Sequence, residues 1–265
     1  MEPHLLAFID ILGFSNFVKD NQKTPDIVKT LLMNYISMTK SFTVTSGKGI
    51  DGLQLSIFSD NIAISAPYTN DTKNIATKLN FFDLINFIQS TSVTLYNTAL
   101  PIRGSVVYGN LYHDEKNNVI CGEALIDAYN LEREAAVYPH IVTNAEFFTP
   151  KDTFNAEQDA YRQHEVQKMG ISFAPSESME VSRRKYYVCD DCDGILFCNY
   201  LSSLRKPLKG WANYAKDSLT KHRDFIVSHL QGSNNIAIHK KYDWMKNYHN
   251  WFCEGVPDFV KYTIV

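Results

Sequence analysis

Apolar and polar positions follow several distinct rhythms along the chain, and each change of rhythm marks an element. Residues 5–12 form a nearly unbroken apolar run, interrupted by Asp10 and ended by Gly13, which predicts a buried strand. Phe14, Phe17, Val18, Ile27, Val28, Leu31, Leu32, Tyr35 and Ile36 then fall at helical spacing, predicting a helix from Ser15 to about Phe42 with a break near Pro25. Leu53 to Ala66 reads as two strands joined at an Asp60-Asn61 turn. A second helical stretch covers 73–98, followed by a strand at 101–112, a polar turn at 113–118 and a short return strand at 119–121. A helix over 122–137 and a strand at 140–144 complete this part. The order β-α-β-β-α-β, extended by a further β-α-β, predicts an α+β sheet with its helices on one face. Residues 150–180 are polar and irregular, Lys185 to Leu201 holds a strand pair, and Tyr214–Leu230 and Ile236–Phe252 read as C-terminal helices.

Composition narrows the functional classes. The 265 residues are 45% hydrophobic, with Phe 16, Tyr 15 and Trp 3, which suits a packed core and argues against disorder. The net charge is −3 and no long basic run occurs, so neither a nucleic acid nor a membrane surface is expected as a partner. A triphosphate remains compatible with that charge when metal ions neutralise it locally. The first apolar stretch carries Asp10 in its middle, which reads against a secretory signal, and no window approaches the roughly 20 apolar residues of a membrane span. Five cysteines make an odd set, read most simply as reduced thiols in a cytoplasmic protein.

Two carboxylates stand out. Asp10 interrupts an apolar strand, where a lone acid is costly unless bonded, paired or bound to metal; it is either a structural cap for the next helix or a metal ligand. Gly13, Phe14 and Ser15 lead from it into a helix N-terminus, where free amides suit a phosphate. Asp60 suits a turn for local reasons, yet with Asp10 it supplies the second hard oxygen donor of a two-metal centre. Strand alternation groups Ser56, Phe58 and Asp60 on one face, with Ser56 and Asp60 about 13 Å apart, the reach of an extended nucleotide. Other signals carry less. The Cys189/Cys192 pair has no second pair at zinc spacing, and His222, His239 and His249 fall in helices where packing explains them. The basic cluster Arg183-Arg184-Lys185 reads as a solvated strand entrance.

The segment Ala7-Phe8-Ile9-Asp10-Ile11-Leu12-Gly13-Phe14-Ser15 resembles the metal-binding strand of class III nucleotide cyclases. Phe58-Ser59-Asp60-Asn61 resembles their second metal-Asp turn, and Gly122 to Glu132 resembles their dimer-interface helix. The resemblance implies a ferredoxin-like βαββαβ antiparallel core over 1–145, remaining core strands with a polar insertion over 146–204, and a helical extension over 205–265 packed on the same domain. It implies two Mg²⁺ or Mn²⁺ ions held by Asp10, Asp60 and the Ile11 carbonyl in a head-to-tail homodimer. The ribose 3′-hydroxyl of a nucleoside triphosphate would attack its α-phosphate there, expelling pyrophosphate.

The departures matter as well. Ile126 and Asn130 stand where purine cyclases carry an Asn and a transition-state Arg, so that charge would come from Arg103 or Arg133, each of which has a structural reading beside the catalytic one. Ser56 and Val119 stand where adenylate cyclases read adenine, which suits a smaller base and speaks against a purine cyclase. Leu100 to Ser105, Ala128 to Glu132, Tyr138 to Val142 and the tail around Trp244 resemble the pyrimidine cyclases of bacterial Pycsar anti-phage systems. That likeness implies cyclic UMP, or cyclic CMP, as a messenger for a separate effector protein, with UTP favoured. A catalytically degenerate nucleotide-binding module is the alternative.

Overall fold

The computed structural model describes residues 1–20, 33, 37, 52–68, 75–98, 100–143, 188–190, 195–205, 211–232 and 235–265. Apart from positions 33 and 37, which are helical, the expected helix beyond residue 20 lies outside the described residues, as do the insertion at 150–180, the Cys192 end of the cysteine pair and the basic cluster at 183–185.

The described elements are β1 (Glu2–Ile11), α1 (Phe14–Asp20), β2 (Gln54–Phe58), β3 (Asn61–Pro67), α2 (Ile75–Asn97), β4 (Ile102–Asp114), β5 (Val119–Cys121), α3 (Glu123–Ala135), β6 (Ile141–Thr143), β7 (Val188–Asp190), β8 (Leu196–Cys198), α4 (Trp211–Gly232) and α5 (Ile236–Glu254), with 3-10 turns at Tyr200–Arg205 and Pro257–Tyr262. The sheet runs in the order β2-β3-β1-β4-β6-β8-β7, and β5 pairs with β4 at its edge. The first four strands are mutually antiparallel, but β6 lies parallel to β4, so the sheet is mixed rather than wholly antiparallel. A parallel partner for β4 requires a crossover, and α3 provides it.

β1 is buried on both sides, which explains its unbroken apolar run. Leu5, Ala7, Ile9 and Ile11 pack with Leu84, Ile85 and Ile88 of α2. Leu6 packs with Val107 and Leu111 of β4 and with Ala124 and Ala128 of α3. Successive strand residues point to opposite faces, so α2 and α3 cover opposite sides of the sheet. The expectation of helices on one face is corrected by this: both residue sets of β1 are apolar, and each needs its own cover.

Close approach is written into β4. A Cβ on Gly104 would collide with the Phe8 carbonyl oxygen of β1, and one on Gly109 would sit 3.3 Å from the Ala124 methyl of α3. These small residues let strand and helix settle against one another.

A second core lies on the outer side of α2. Val93 and Tyr96 of α2, Phe197 of β8, and Tyr200, Leu201 and Leu204 of the first 3-10 turn meet Leu219 and Ile226 of α4 and Trp244, Met245, Tyr248 and Phe252 of α5. With a core on each side, α2 is buried nearly all round between Leu84 and Tyr96, and it shelters the polar Gln89, Thr91 and Ser92 as well as its apolar positions. His222 and His249 sit inside this core and form a chain whose protons can be assigned. His249 Nε2 donates to the Tyr262 carbonyl at 2.9 Å, which fixes its Nδ1 as acceptor when the ring is neutral. His222 Nδ1 therefore donates to it at 3.0 Å, and the Tyr200 hydroxyl donates to His222 Nε2 at 2.9 Å. Burial depresses the pKa of both imidazoles, in keeping with that neutral order. No helix among the described residues is long and apolar enough to cross a membrane.

Candidate active site

The site grows from the point where the apolar rhythm of β1 breaks. Asp10 pairs across the sheet with Asn61 of β3 on one side and Arg103 of β4 on the other. The β2–β3 hairpin turns through Ser59 (φ 60°) and Asp60, and the Ile11 amide donates to the Asp60 carbonyl at 3.0 Å. Asn61, opposite Asp10 in register, donates from Nδ2 to Asp60 Oδ1 at 3.3 Å. Directly opposed residues share a face, so Asn61 brings the Asp60 carboxylate to the side of the sheet that carries Asp10. Both acids thus stand at one end of the sheet, half-buried.

Arg103 holds this corner together. Its Nε donates to Asp10 Oδ2 at 2.9 Å, and Glu132 Oε1 of α3 lies 2.8 Å from the same nitrogen. Nε carries one hydrogen, and Asp10 takes it. Glu132 Oε1 is therefore an ion-pair neighbour that lies off the N–H direction, buried and without a hydrogen bond among the described residues. Side-chain exposure falls from 30% at Arg103 through 17% at Asp10 to 7% at Glu132. Burial raises the Glu132 pKa, the Arg103 guanidinium opposes the rise, and Asp10 adds to it.

Helix α3 delivers Glu132 by a stripe of inward positions one turn apart. Ala124 meets Gly109, the Ala128 carbonyl accepts from the Ser105 hydroxyl at 2.7 Å, and Glu132 meets Arg103. Sequence reasoning missed this role for Glu132. Its signal was present: a carboxylate at the third position of a small-residue stripe facing the sheet.

The remaining expected site residues divide. Gly13 (φ 78°) and Ser15 are exposed just beyond β1. Phe14 is buried in the first core and stacks on Phe17 at 6.4 Å, so its side chain does not face a ligand. The Ile11 side chain is likewise in the core, leaving its backbone to act. Phe58, opposite Asn61, is 39% exposed beside the acids. Ser56 is buried, and its hydroxyl meets His113 Nε2 at 2.9 Å instead of open space. Arg133 points outward, 3.4 Å from Glu134 and 5.9 Å from the centre of the Tyr129 ring. Asn130 is half-buried, two residues and about 200° around the helix from Glu132, on the same outer side as exposed Ile126. The structure unites Asp10, Asp60, Arg103 and Phe58 at one sheet end and places Ser56, Asn130 and Arg133 elsewhere. An open groove of about 720 Å³ lined by Gln54, Tyr112, His113, Asp114, Glu115 and Lys116 lies at the far end of β4.

The donors fit a divalent ion of the Mg²⁺ or Mn²⁺ kind. Such ions prefer oxygen ligands and are commonly held by one or two carboxylates together with substrate phosphates. Asp10 and Asp60 offer that pair. Among the described residues, no cluster of three or more His, Cys, Asp or Glu forms a site built from protein ligands alone.

Fold and site together define an α+β protein with a mixed sheet and a carboxylate–guanidinium cluster at one sheet end. No protein-family model matches the chain, and no curated protein matches it in sequence. Among solved structures, the chain is similar to a bacterial light-regulated adenylyl cyclase at 19% identity and a TM-score of 0.34, over 54% of this chain and 76% of that one. A second structure of a bacterial light-regulated adenylyl cyclase is similar at 17% identity and a TM-score of 0.36, over 54% of this chain and 43% of that one.

Proposed function

We propose that this chain is a nucleotidyl cyclase that closes a nucleoside triphosphate into its 3′,5′-cyclic nucleotide, with UTP favoured over CTP. The observation that carries the reading is the meeting of the Asp10 strand end and the Asp60 turn, tied by the Ile11–Asp60 backbone bond. Bound Mg²⁺ or Mn²⁺ would supply charge neutralisation of the triphosphate and a lowered pKa for the ribose 3′-hydroxyl. Asp10 and Asp60 would hold the ions, Arg103 would face developing charge on the phosphate, and Phe58 would offer an apolar surface to the base. The base preference is supported by the motif likeness at Leu100–Ser105 and Tyr138–Val142, and a role in anti-phage defence, with a separate effector reading the messenger, rests on the same likeness.

A homodimer belongs to this reading. Ile126 and Tyr129, 61% and 50% exposed, lie on the outer side of α3 with Asn130 and Arg133, where a second copy would bury them and complete the site. The Asp10–Arg103 ion pair favours a second reading, nucleotide binding without turnover, because it engages a carboxylate that the chemistry needs. Incubation with each of the four ribonucleotides and Mn²⁺, with mass identification of the product, separates the two. The expected result is cyclic UMP, with at least a hundredfold loss in Asp10→Asn or Asp60→Asn. UTP bound without pyrophosphate release would instead favour the binding module, and equal turnover of ATP would remove the base assignment.

A further inference from the structure

Asp10 is asked to do two things. It accepts the Arg103 Nε hydrogen in the structure, and in the proposed reaction it ligates a cation. A guanidinium and a divalent ion compete for the same oxygens, and a partly buried cation with no other acceptor resists displacement. Arg103 has another acceptor. Glu132 Oε1 stands 2.8 Å from the same Nε, buried and without a hydrogen bond among the described residues. It is also fixed: Ser105 bonds the Ala128 carbonyl one turn earlier at 2.7 Å, and Ala124 packs on Gly109, so α3 cannot slide without breaking these contacts. Both acceptors already lie within 3 Å of the same nitrogen, so passing the N–H from Asp10 to Glu132 is a reorientation of the guanidinium between two oxygens in reach.

We infer that Glu132 is a positioning residue that takes over the Arg103 guanidinium when a divalent ion occupies Asp10. The inference rests on the cyclase reading for its cation. Two carboxylates and one guanidinium leave the corner with a net negative charge, which favours a divalent ion. They also leave Arg103 a place to stay, at the edge of the site rather than in solvent. Without the Glu132 charge, Arg103 keeps Asp10 as its one carboxylate among the described residues and holds it against the metal.

Mn²⁺ binding to the purified full chain, read from the electron paramagnetic resonance signal of free Mn²⁺, tests this without reference to turnover. Glu132→Gln is expected to raise the half-saturating Mn²⁺ concentration about tenfold. Glu132→Asp, which keeps the charge one methylene shorter, is expected to lie within about threefold of the parent chain and shows that the corner tolerates substitution. The decisive variant is the double exchange Arg103→Gln with Glu132→Gln, which removes the competitor together with its holder. Its Mn²⁺ affinity should return to within about threefold of the parent. Unchanged affinity in Glu132→Gln overturns the inference, as does a double variant that stays weak, since Glu132 would then act through its own charge. Failure of the cyclase reading shows differently: the parent chain would bind Mn²⁺ no more tightly than Asp10→Asn, and both ideas would fall together.

Discussion

At the scale of single residues, His113 shows how a polar group is accommodated inside this sheet. Its imidazole receives two serines from other strands, Ser56 at Nε2 (2.9 Å) and Ser65 at Nδ1 (2.7 Å). A neutral ring satisfies both, donating to one hydroxyl and accepting from the other. Burial lowers its pKa to about 4; His4 pushes the same way and Asp114 opposes. A depressed histidine pKa means that the unfolded chain binds the proton first as pH falls. His113 therefore leaves stability intact above the unfolded value near 6.5, and removes up to about 3 kcal/mol between there and pH 4. Urea titrations at pH 7 and pH 4 should show a smaller loss in His113→Gln than in the parent chain. His222 and His249 contribute with the same sign to both proteins and cancel in the difference. The sequence placed Ser56 on a ligand-facing strand because its alternation is correct. Its actual partner lies 57 residues away, a distance that no local pattern reports.

At the scale of elements, β1, the β2–β3 hairpin and α3 were legible because their periodicities are clean and glycine or polar turns bound them. The structure places Asp10 and Asp60 together at one sheet end, as the hairpin and strand predicted. What stayed hidden was set by pairing between distant segments. β6 joins β4 in parallel through three residues, Ile141 to Thr143, too few to announce a direction. The second helical layer was missed because a strand apolar on both faces looks the same whether one cover or two await it. The β1–β4 contact gives the sharpest prediction at this scale. Gly104→Ala would drive a methyl group into the Phe8 carbonyl, and a backbone neighbour cannot rotate away. A loss of about 3 kcal/mol is expected by chemical denaturation, with Mn²⁺ binding weakened in parallel because Arg103 and Asp10 flank that contact. Full stability in the variant would show that β1 and β4 can part locally without harm.

At the scale of the whole molecule, two cores share one helix. Polar bonds stitch the second core to the sheet layer: Gln89 Nε2 of α2 donates to the Asn199 carbonyl at 3.0 Å, and the Tyr248 hydroxyl of α5 donates to Asn199 Oδ1 at 2.7 Å. The same hydroxyl accepts from the Leu201 amide at 2.9 Å. Tyr248→Phe leaves both partners buried, and a loss of about 2 kcal/mol is expected in thermal or urea unfolding. A loss under about 0.5 kcal/mol would mean that other groups take up the bonds. Helical periodicity marks the two C-terminal helices in the sequence, but no local pattern shows which surface they cover.

That surface is the outer side of α2, and its consequence is practical. Val93 and Tyr96, 3% and 2% exposed in the full chain, owe their shelter to segments that begin nearly a hundred residues later. A fragment cut after residue 145 would keep Asp10, Asp60, Arg103 and Glu132 yet present an oily ridge to water. Expressed alone, residues 1–145 are expected to partition into inclusion bodies, and sedimentation of the lysate reads this directly. Recovery of that fragment as a monodisperse protein would show that the tail is dispensable trim.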